Sequence, residues 1–252
     1  MARLSRARLP MSGAEGKGKT GGSSCYALNL ARRGGTHATL LGLVPEHSRV
    51  LELGCASGYF GTLLRQRGCK VWGIDSDVSA LARVPEEVYE SVSHADLDDL
   101  PVWPLPLHSA DVVLAADVLE HLREPARLLS EVHEILALGG LLVVSLPNVA
   151  HLSVRFPLLF GRFRYQSSGI LDRTHLHFYT FASACELIDQ AGFEIEGVLS
   201  GSDWSGVLLN QPVASRVAKV LRGLLATGII ITARPRTNTS AASPARPWAR
   251  PI

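Results

Sequence analysis

The chain has 252 residues, 46% of them hydrophobic and 19% charged, enough for one α/β core with tails and too few for two comfortable domains. The formal charge of +2 is unevenly spread: residues 1–22 carry five basic side chains against Glu15, residues 234–252 carry four arginines and no acid, and the stretch between holds 16 basic against 22 acidic residues. A net-acidic middle argues against a nucleic-acid-binding face, four scattered cysteines with no Cys-x-x-Cys pair against a disulfide framework or metal site, and the lack of any apolar run of roughly 18–20 residues against a membrane span.

Residues 1–22 read as a disordered basic tail. Its start, Met1 to Leu9, is Arg-rich but has no apolar core of a secretory signal, so the expected location is the cytoplasm. Gly13-Ala14-Glu15-Gly16-Lys17-Gly18-Lys19-Thr20 spells a phosphate-binding P-loop. No core strand delivers it and Gly21-Gly22 delays any helix behind it, so a nucleotide hydrolase is not expected. Helices are expected from about Ser24 to Arg33 and up to Leu43, where Pro45 stops the second.

The most informative stretch follows. A buried strand over Arg49–Leu53 runs into the turn Gly54-Cys55-Ala56-Ser57-Gly58, then a helix over Tyr59–Arg67 capped by Gly68, then a strand over Lys70–Ile74 that stops at Asp75. Such a unit holds a nucleoside: glycines bend the chain and let a ligand approach the backbone, and the acid can accept hydrogen bonds from a ribose diol. A dinucleotide fingerprint counted from Gly54 meets Ala56 and Tyr59 where it needs glycine, so the pyrophosphate reading fails. Asp75 could alternatively cap a following helix.

Further on, a third strand is expected over Val88–Val92 with Asp96-Leu97 behind it, and a fourth at Ala110 to Ala116, followed by Asp117-Val118-Leu119-Glu120-His121. A helix should begin at Pro125, run to Leu138 and end at Gly139, with a fifth strand after it up to Asn148. Residues 149–179 mix aromatic residues with Arg155, Arg162, Arg164 and Arg173. A helix over Phe181–Ala191, a strand over Phe193–Leu199, a helix over Ala214–Leu225 and a strand over Thr227–Ala233 complete a domain expected to span residues 23–233, before a Pro/Arg-rich tail. Strands alternating with helices at this spacing make an α/β fold, a Rossmann-like, mainly parallel sheet with helices on both faces.

Glu52-x-Gly54-x-Ala56-x-Gly58 resembles the acid-x-Gly-x-Gly-x-Gly signature of class I S-adenosylmethionine-dependent methyltransferases, with Ala56 in place of the middle glycine. Leu119-Glu120-His121 and Asp172-Arg173-Thr174-His175 resemble motifs of the small-molecule and glycan branch of that family. The resemblance covers roughly residues 40–200. It implies a seven-stranded sheet whose last strand inserts antiparallel beside the fifth, and S-adenosylmethionine as cofactor. Glu52, Gly54, Ala56, Gly58, Asp75, Asp96, Leu97 and Asp117 would then form the cofactor site, with Asp96 at the adenine amino group.

Methyl transfer is an in-line displacement, so alignment and exclusion of water dominate, and a hydroxyl acceptor must also lose its proton. Histidine suits that role near neutral pH. His175 and His121 are the catalytic candidates; His151 and His177 lie in or near the same segment. Either of the first two could instead be a packing or turn residue. No metal ligand set is expected. The acceptor would be a small molecule or glycan precursor, its anionic groups met by Arg162, Arg164 and Arg173. The competing readings are a methyltransferase-like binding module without turnover and an NAD-dependent oxidoreductase.

Overall fold

In the computed structural model, which describes residues 35–100, 102–201 and 222–236, the strands of one sheet follow the order β3-β2-β1-β4-β5-β7-β6. The chain enters through α1 (Thr36–Leu43) and reaches the central β1 (Arg49–Leu53), then α2 (Tyr59–Gln66), β2 (Lys70–Asp75), a short α3 (Val78–Leu81) and β3 (Ser91–His94). It crosses back through β4 (Ala110–Ala116), a 3-10 turn (Leu119–His121), α4 (Pro125–Ile135) and β5 (Leu136–Pro147). The last part comprises α5 (Leu152–Leu158), α6 (Phe181–Gln190), β6 (Phe193–Gly201) and β7 (Gly228–Pro235).

β1 pairs in parallel with β2 on one side and β4 on the other, and β7 lies antiparallel between β5 and β6. The sheet is thus seven-stranded and mainly parallel, with the antiparallel insertion beside the fifth strand that the sequence implies. Strand order reverses between β1 and β4, which opens a crevice beyond their carboxyl ends.

Both faces are covered, and the strands show it in their alternation. Leu51, Val113, Leu142, Val144, Ile229 and Ile231 pack with Leu128, Leu129, Val132 and Ile135 of α4 and with Ala184 and Ile188 of α6. Val50, Val71, Val112, Leu114, Val143 and Ile230 face Leu40 of α1 and Phe60 and Leu64 of α2 instead. Because both sides of a strand are buried, Val112 to Ala116 of β4 and Ile229 to Ile231 of β7 read as unbroken apolar runs. Pro125 opens α4 in its first turn, and Thr180 caps α6 in a reciprocal capping box with Ser183.

Three boundaries depart from expectation. Val88 and Tyr89 are not strand residues: they turn into the core at 6% and 8% exposure, and β3 begins only at Ser91. α4 stops at Ile135 and passes directly into β5, whose Leu136 pairs with Ala110; Gly139, at φ +73°, lies within the strand. β7 runs on to Pro235, where Arg234 pairs with Glu196 at 2.7 Å and Arg236 with Asp189, so the fold continues past residue 233. The helix expected over Ser24–Arg33, the P-loop lettering, most of the helix expected over Ala214–Leu225 and residues 237–252 lie outside the described residues. No helix among the described residues is long and apolar enough to cross a membrane.

Candidate active site

The turn after β1 is built on left-handed backbone at every second residue: Gly54 at φ +69°, Ala56 at +46° and Gly58 at +80°. A side chain at Gly54 would also bring Cβ to 2.7 Å from Val118 Cγ2. The turn is pinned to β2, since the amides of Gly54 and Cys55 both donate to the Ile74 carbonyl, at 2.8 and 3.0 Å.

Ala56 therefore holds a conformation that costs an L-residue about 1–2 kcal/mol. Ala56→Gly is expected to stabilise the fold by about 1 kcal/mol, the relief being partly offset by the freer unfolded chain. Thermal unfolding of the two proteins checks this, and a lower melting temperature for the glycine variant would contradict it.

Asp75 lies directly against this turn. One carboxylate oxygen accepts the Ala56 amide at 2.7 Å and the other the Asp77 amide at 2.8 Å. The alternative role for Asp75 as a helix cap is taken by Asp77, which accepts from the amides of Ser79 and Ala80. Asp75 remains partly exposed, and each oxygen keeps a further lone pair.

Glu52, near the end of β1, is 5% exposed and accepts a 2.8 Å hydrogen bond from the Tyr89 hydroxyl. Burial pushes its carboxyl up to about 8; the Tyr89 hydrogen bond opposes that shift and the Asp75 charge adds to it. Tyr89 is the residue that the sequence gives no reason to single out. It occupies space that Gly61 and Gly73 leave open: a Cβ on Gly61 would meet its hydroxyl oxygen at 2.2 Å, and one on Gly73 its ring at 2.9 Å. Two glycines outside the signature turn were the available clue.

Asp96 is exposed beyond β3 and accepts the Asp98 amide at 2.9 Å, with Leu97 buried beside it. Asp98 is structural: its carboxylate accepts the Arg123 amide at 2.9 and 3.1 Å and pairs with the Arg123 guanidinium, tying this loop to the start of α4. Asp117 stands past β4 in left-handed backbone, φ +54°, and accepts the Ser145 hydroxyl at 2.7 Å. Glu52, Gly54, Ala56, Gly58, Asp75, Asp96, Leu97 and Asp117 thus all fall at or just past the carboxyl edges of β1 to β4, on the side of the sheet to which the reversal between β1 and β4 opens.

A second group forms where the loop 166–179 returns to the 3-10 turn. The amides of Leu176 and His177 donate to the Glu120 carbonyl at 2.8 and 3.1 Å, which brings the two motifs of the sequence together. The rings of His121 and His175 lie 4.8 Å apart, edge to face. His121 Nδ1 is 3.2 Å from the Thr174 carbonyl, and His175 Nδ1 is 3.2 Å from the Ile170 carbonyl. Burial and the neighbouring His121 hold His175 below the usual imidazole value.

His175 is oriented from its own loop, because Asp172 is engaged with the amide and hydroxyl of Thr174, both at 2.8 Å. His151 caps α5 through a bond from the Ser153 amide, and His177 is turned to the Arg123 carbonyl. Arg155, Arg162, Arg164 and Arg173 are all exposed, and in the same segment the ring centroids of Phe163, Tyr165 and Phe178 stand 5.5 to 6.3 Å from one another.

Residues 28–198 match the family model described as a methyltransferase domain, and the chain belongs to that family. It is 34% identical over 151 residues to a probable S-adenosylmethionine-dependent methyltransferase of Mycolicibacterium smegmatis, covering 60% of this chain and 53% of that one. A ubiquinone biosynthesis O-methyltransferase of Psychrobacter arcticus is 29% identical over 159 residues, covering 60% and 61%. The chain therefore spans only part of the length of the curated relatives it matches. The same fold occurs in an S-adenosylmethionine-dependent methyltransferase from Mesorhizobium loti, with a TM-score of 0.55, 22% identity and coverage of 78% and 95%. A putative methyltransferase from Haloferax volcanii, solved with its Trm112 activator, shares it with a TM-score of 0.58, 21% identity and coverage of 80% and 89%. S-adenosylmethionine is the cofactor of this class.

Proposed function

We propose that the chain transfers a methyl group from S-adenosylmethionine to a hydroxyl group of a small molecule or glycan precursor. The observation that carries this is the direct bond between Asp75 and the left-handed turn at Ala56, in a crevice at the reversal of strand order. The residues fit a sulfonium-bearing nucleoside in chemistry as well as place. Asp75 keeps lone pairs for two ribose hydroxyls, Asp96 is open to accept from an adenine amino group, and Leu97 offers an apolar surface beside it. Gly54, Ala56 and Gly58 give the methionine end a close backbone approach, and Glu52 orders the turn or takes the ammonium group. Asp117, braced by Ser145, closes the far side.

When bound, the sulfonium supplies an electrophilic methyl group. The chain has to align an acceptor oxygen behind that methyl, keep water out and draw the hydroxyl proton away. The His121–His175 pair is where the hydroxyl is activated. With each Nδ1 directed at a carbonyl, Nε2 is the nitrogen left for the acceptor. Oxygen as the methylated atom is supported by the O-methyltransferase relative.

The exposed arginines of residues 149–179 beside an aromatic cluster suit an acceptor with carboxylate or phosphate groups. Changing Arg162, Arg164 and Arg173 together to alanine is expected to raise KM for an acidic acceptor about tenfold or more, from the loss of charge-assisted bonds, while leaving cofactor affinity intact. Incubating lysate with methyl-labelled S-adenosylmethionine and reading product masses would identify that acceptor. A label that never leaves the cofactor would defeat the transferase reading, and an unchanged KM in the triple variant would remove the arginines from acceptor binding.

A further inference from the structure

We propose that Glu120, His121 and His175 form a binding site for one divalent transition-metal cation. Two different chain segments supply the donors, and the Glu120 carbonyl holds them in register by accepting the Leu176 and His177 amides. One ligand atom from each residue can be chosen so that all three lie within 4.8 Å of one another, and His175 Nε2 is 4.0 Å from Glu120 Oε1. In a filled site such atoms stand roughly 3–3.5 Å apart, given metal–ligand distances of about 2.0–2.2 Å, so closure asks for a shift of about 1 Å.

Independent features point the same way. Glu120 is 1% exposed, and its Oε2 has no hydrogen-bond partner among the described residues. A buried carboxyl oxygen without a partner is costly, and a cation would complete it. Both imidazoles turn Nδ1 toward a backbone carbonyl, His121 to Thr174 and His175 to Ile170, which fixes the tautomer that leaves Nε2 as a lone-pair donor. That outer hydrogen bond is the usual support of a metal-binding histidine.

Two imidazoles and one carboxylate suit a first-row transition metal better than calcium or magnesium. His121 and His175 are less deeply buried than Glu120, so the histidine side of the site is where a further ligand can reach the cation. A cation there would bind the acceptor hydroxyl and lower its pKa, so that the histidines act through the metal. That catalytic consequence rests on the methyl-transfer reading above, whereas the binding of the cation does not.

The full chain, free of any affinity tag and stripped with chelator, should be titrated with Co2+, read by its visible absorption, and with Zn2+ as competitor. Saturation at one cation per chain is expected. Affinity should fall at least tenfold in Glu120→Gln, which keeps the size of the buried side chain, and in His121→Asn at a half-exposed position. His108→Ala, remote and exposed beside Glu134, should leave it unchanged. Absence of saturable binding, or equal affinity in all three variants, would overturn the site; if Glu120→Gln does not fold, His121→Asn decides. S-adenosylmethionine titrated into the same wild-type protein keeps the two readings apart. Cofactor binding without cation binding removes the metal site alone, and cation binding without cofactor binding removes the methyl-donor reading alone.

Discussion

Asp75→Ala is expected to weaken S-adenosylmethionine binding by about 100-fold or more while the protein stays folded. A carboxylate accepting two ribose hydroxyls makes two charge-assisted hydrogen bonds, each worth about 1.5–3 kcal/mol, and every 1.4 kcal/mol is a factor of ten. The alanine also removes the acceptor for the Ala56 amide, so the turn loses its tie to β2 at that point. The bonds from Gly54 and Cys55 to Ile74 remain, which is why the fold should survive. Calorimetric titration of wild type and variant decides it: a loss of less than about tenfold would mean that the ribose is held elsewhere.

The second expected result concerns Glu52 and pH. Its folded value near 8 lies above the ordinary value of 4.5, so the folded chain keeps a proton that the unfolded chain has released. The sign follows: stability from this group is complete below pH 4.5, declines as pH rises, and is lost above about 8. The amount is of order a few kcal/mol. Glu52→Gln preserves an acceptor for Tyr89 and carries no charge, so its melting temperature should fall several degrees less than that of wild type between pH 5 and 8. Parallel pH profiles for the two proteins would show that Glu52 is ionised in the fold at neutral pH.

What the amino-acid sequence discloses is mostly backbone. β1 ends at Leu53, where the glycine turn cuts off its buried stretch, and the turn and Asp75 announce themselves because left-handed residues and a strand-terminal acid leave local marks. β3 does not, because it is an exposed edge strand, Ser91 to His94, preceded by two apolar residues that serve the core instead. The end of α4 is obscured for a related reason: Leu138 is 93% exposed, so hydrophobicity carries past the true boundary at Ile135. The site divides in the same way. Glu52 is visible but its partner Tyr89 lies 37 residues on, and His121 meets Thr174 across 53 residues. Such pairings exist only once the sheet has brought the loops together. Asp98 illustrates the converse, since nothing in the lettering sets it apart from the neighbouring acids Asp96 and Asp99, and in the fold it anchors a helix.

The segment after β5 leaves and returns through nearly the same point. Asn148 bridges to Tyr179, and the Val149 amide donates to the Tyr179 carbonyl at 2.9 Å. Asn148 itself is fully buried, its side-chain amide donating to the carbonyls of Gly223 and Ala226 at 2.8 and 2.7 Å. With both ends stapled to the sheet, the thirty or so residues between behave as a cassette. Their length and lettering can change at little entropic cost to the scaffold, since closing a longer loop adds only about 0.6 kcal/mol per doubling. A chimaera that exchanges this cassette at Asn148 and Tyr179 should carry a new appetite for acceptors into an unaltered methyl-donor pocket, which is how one such scaffold can serve many chemistries.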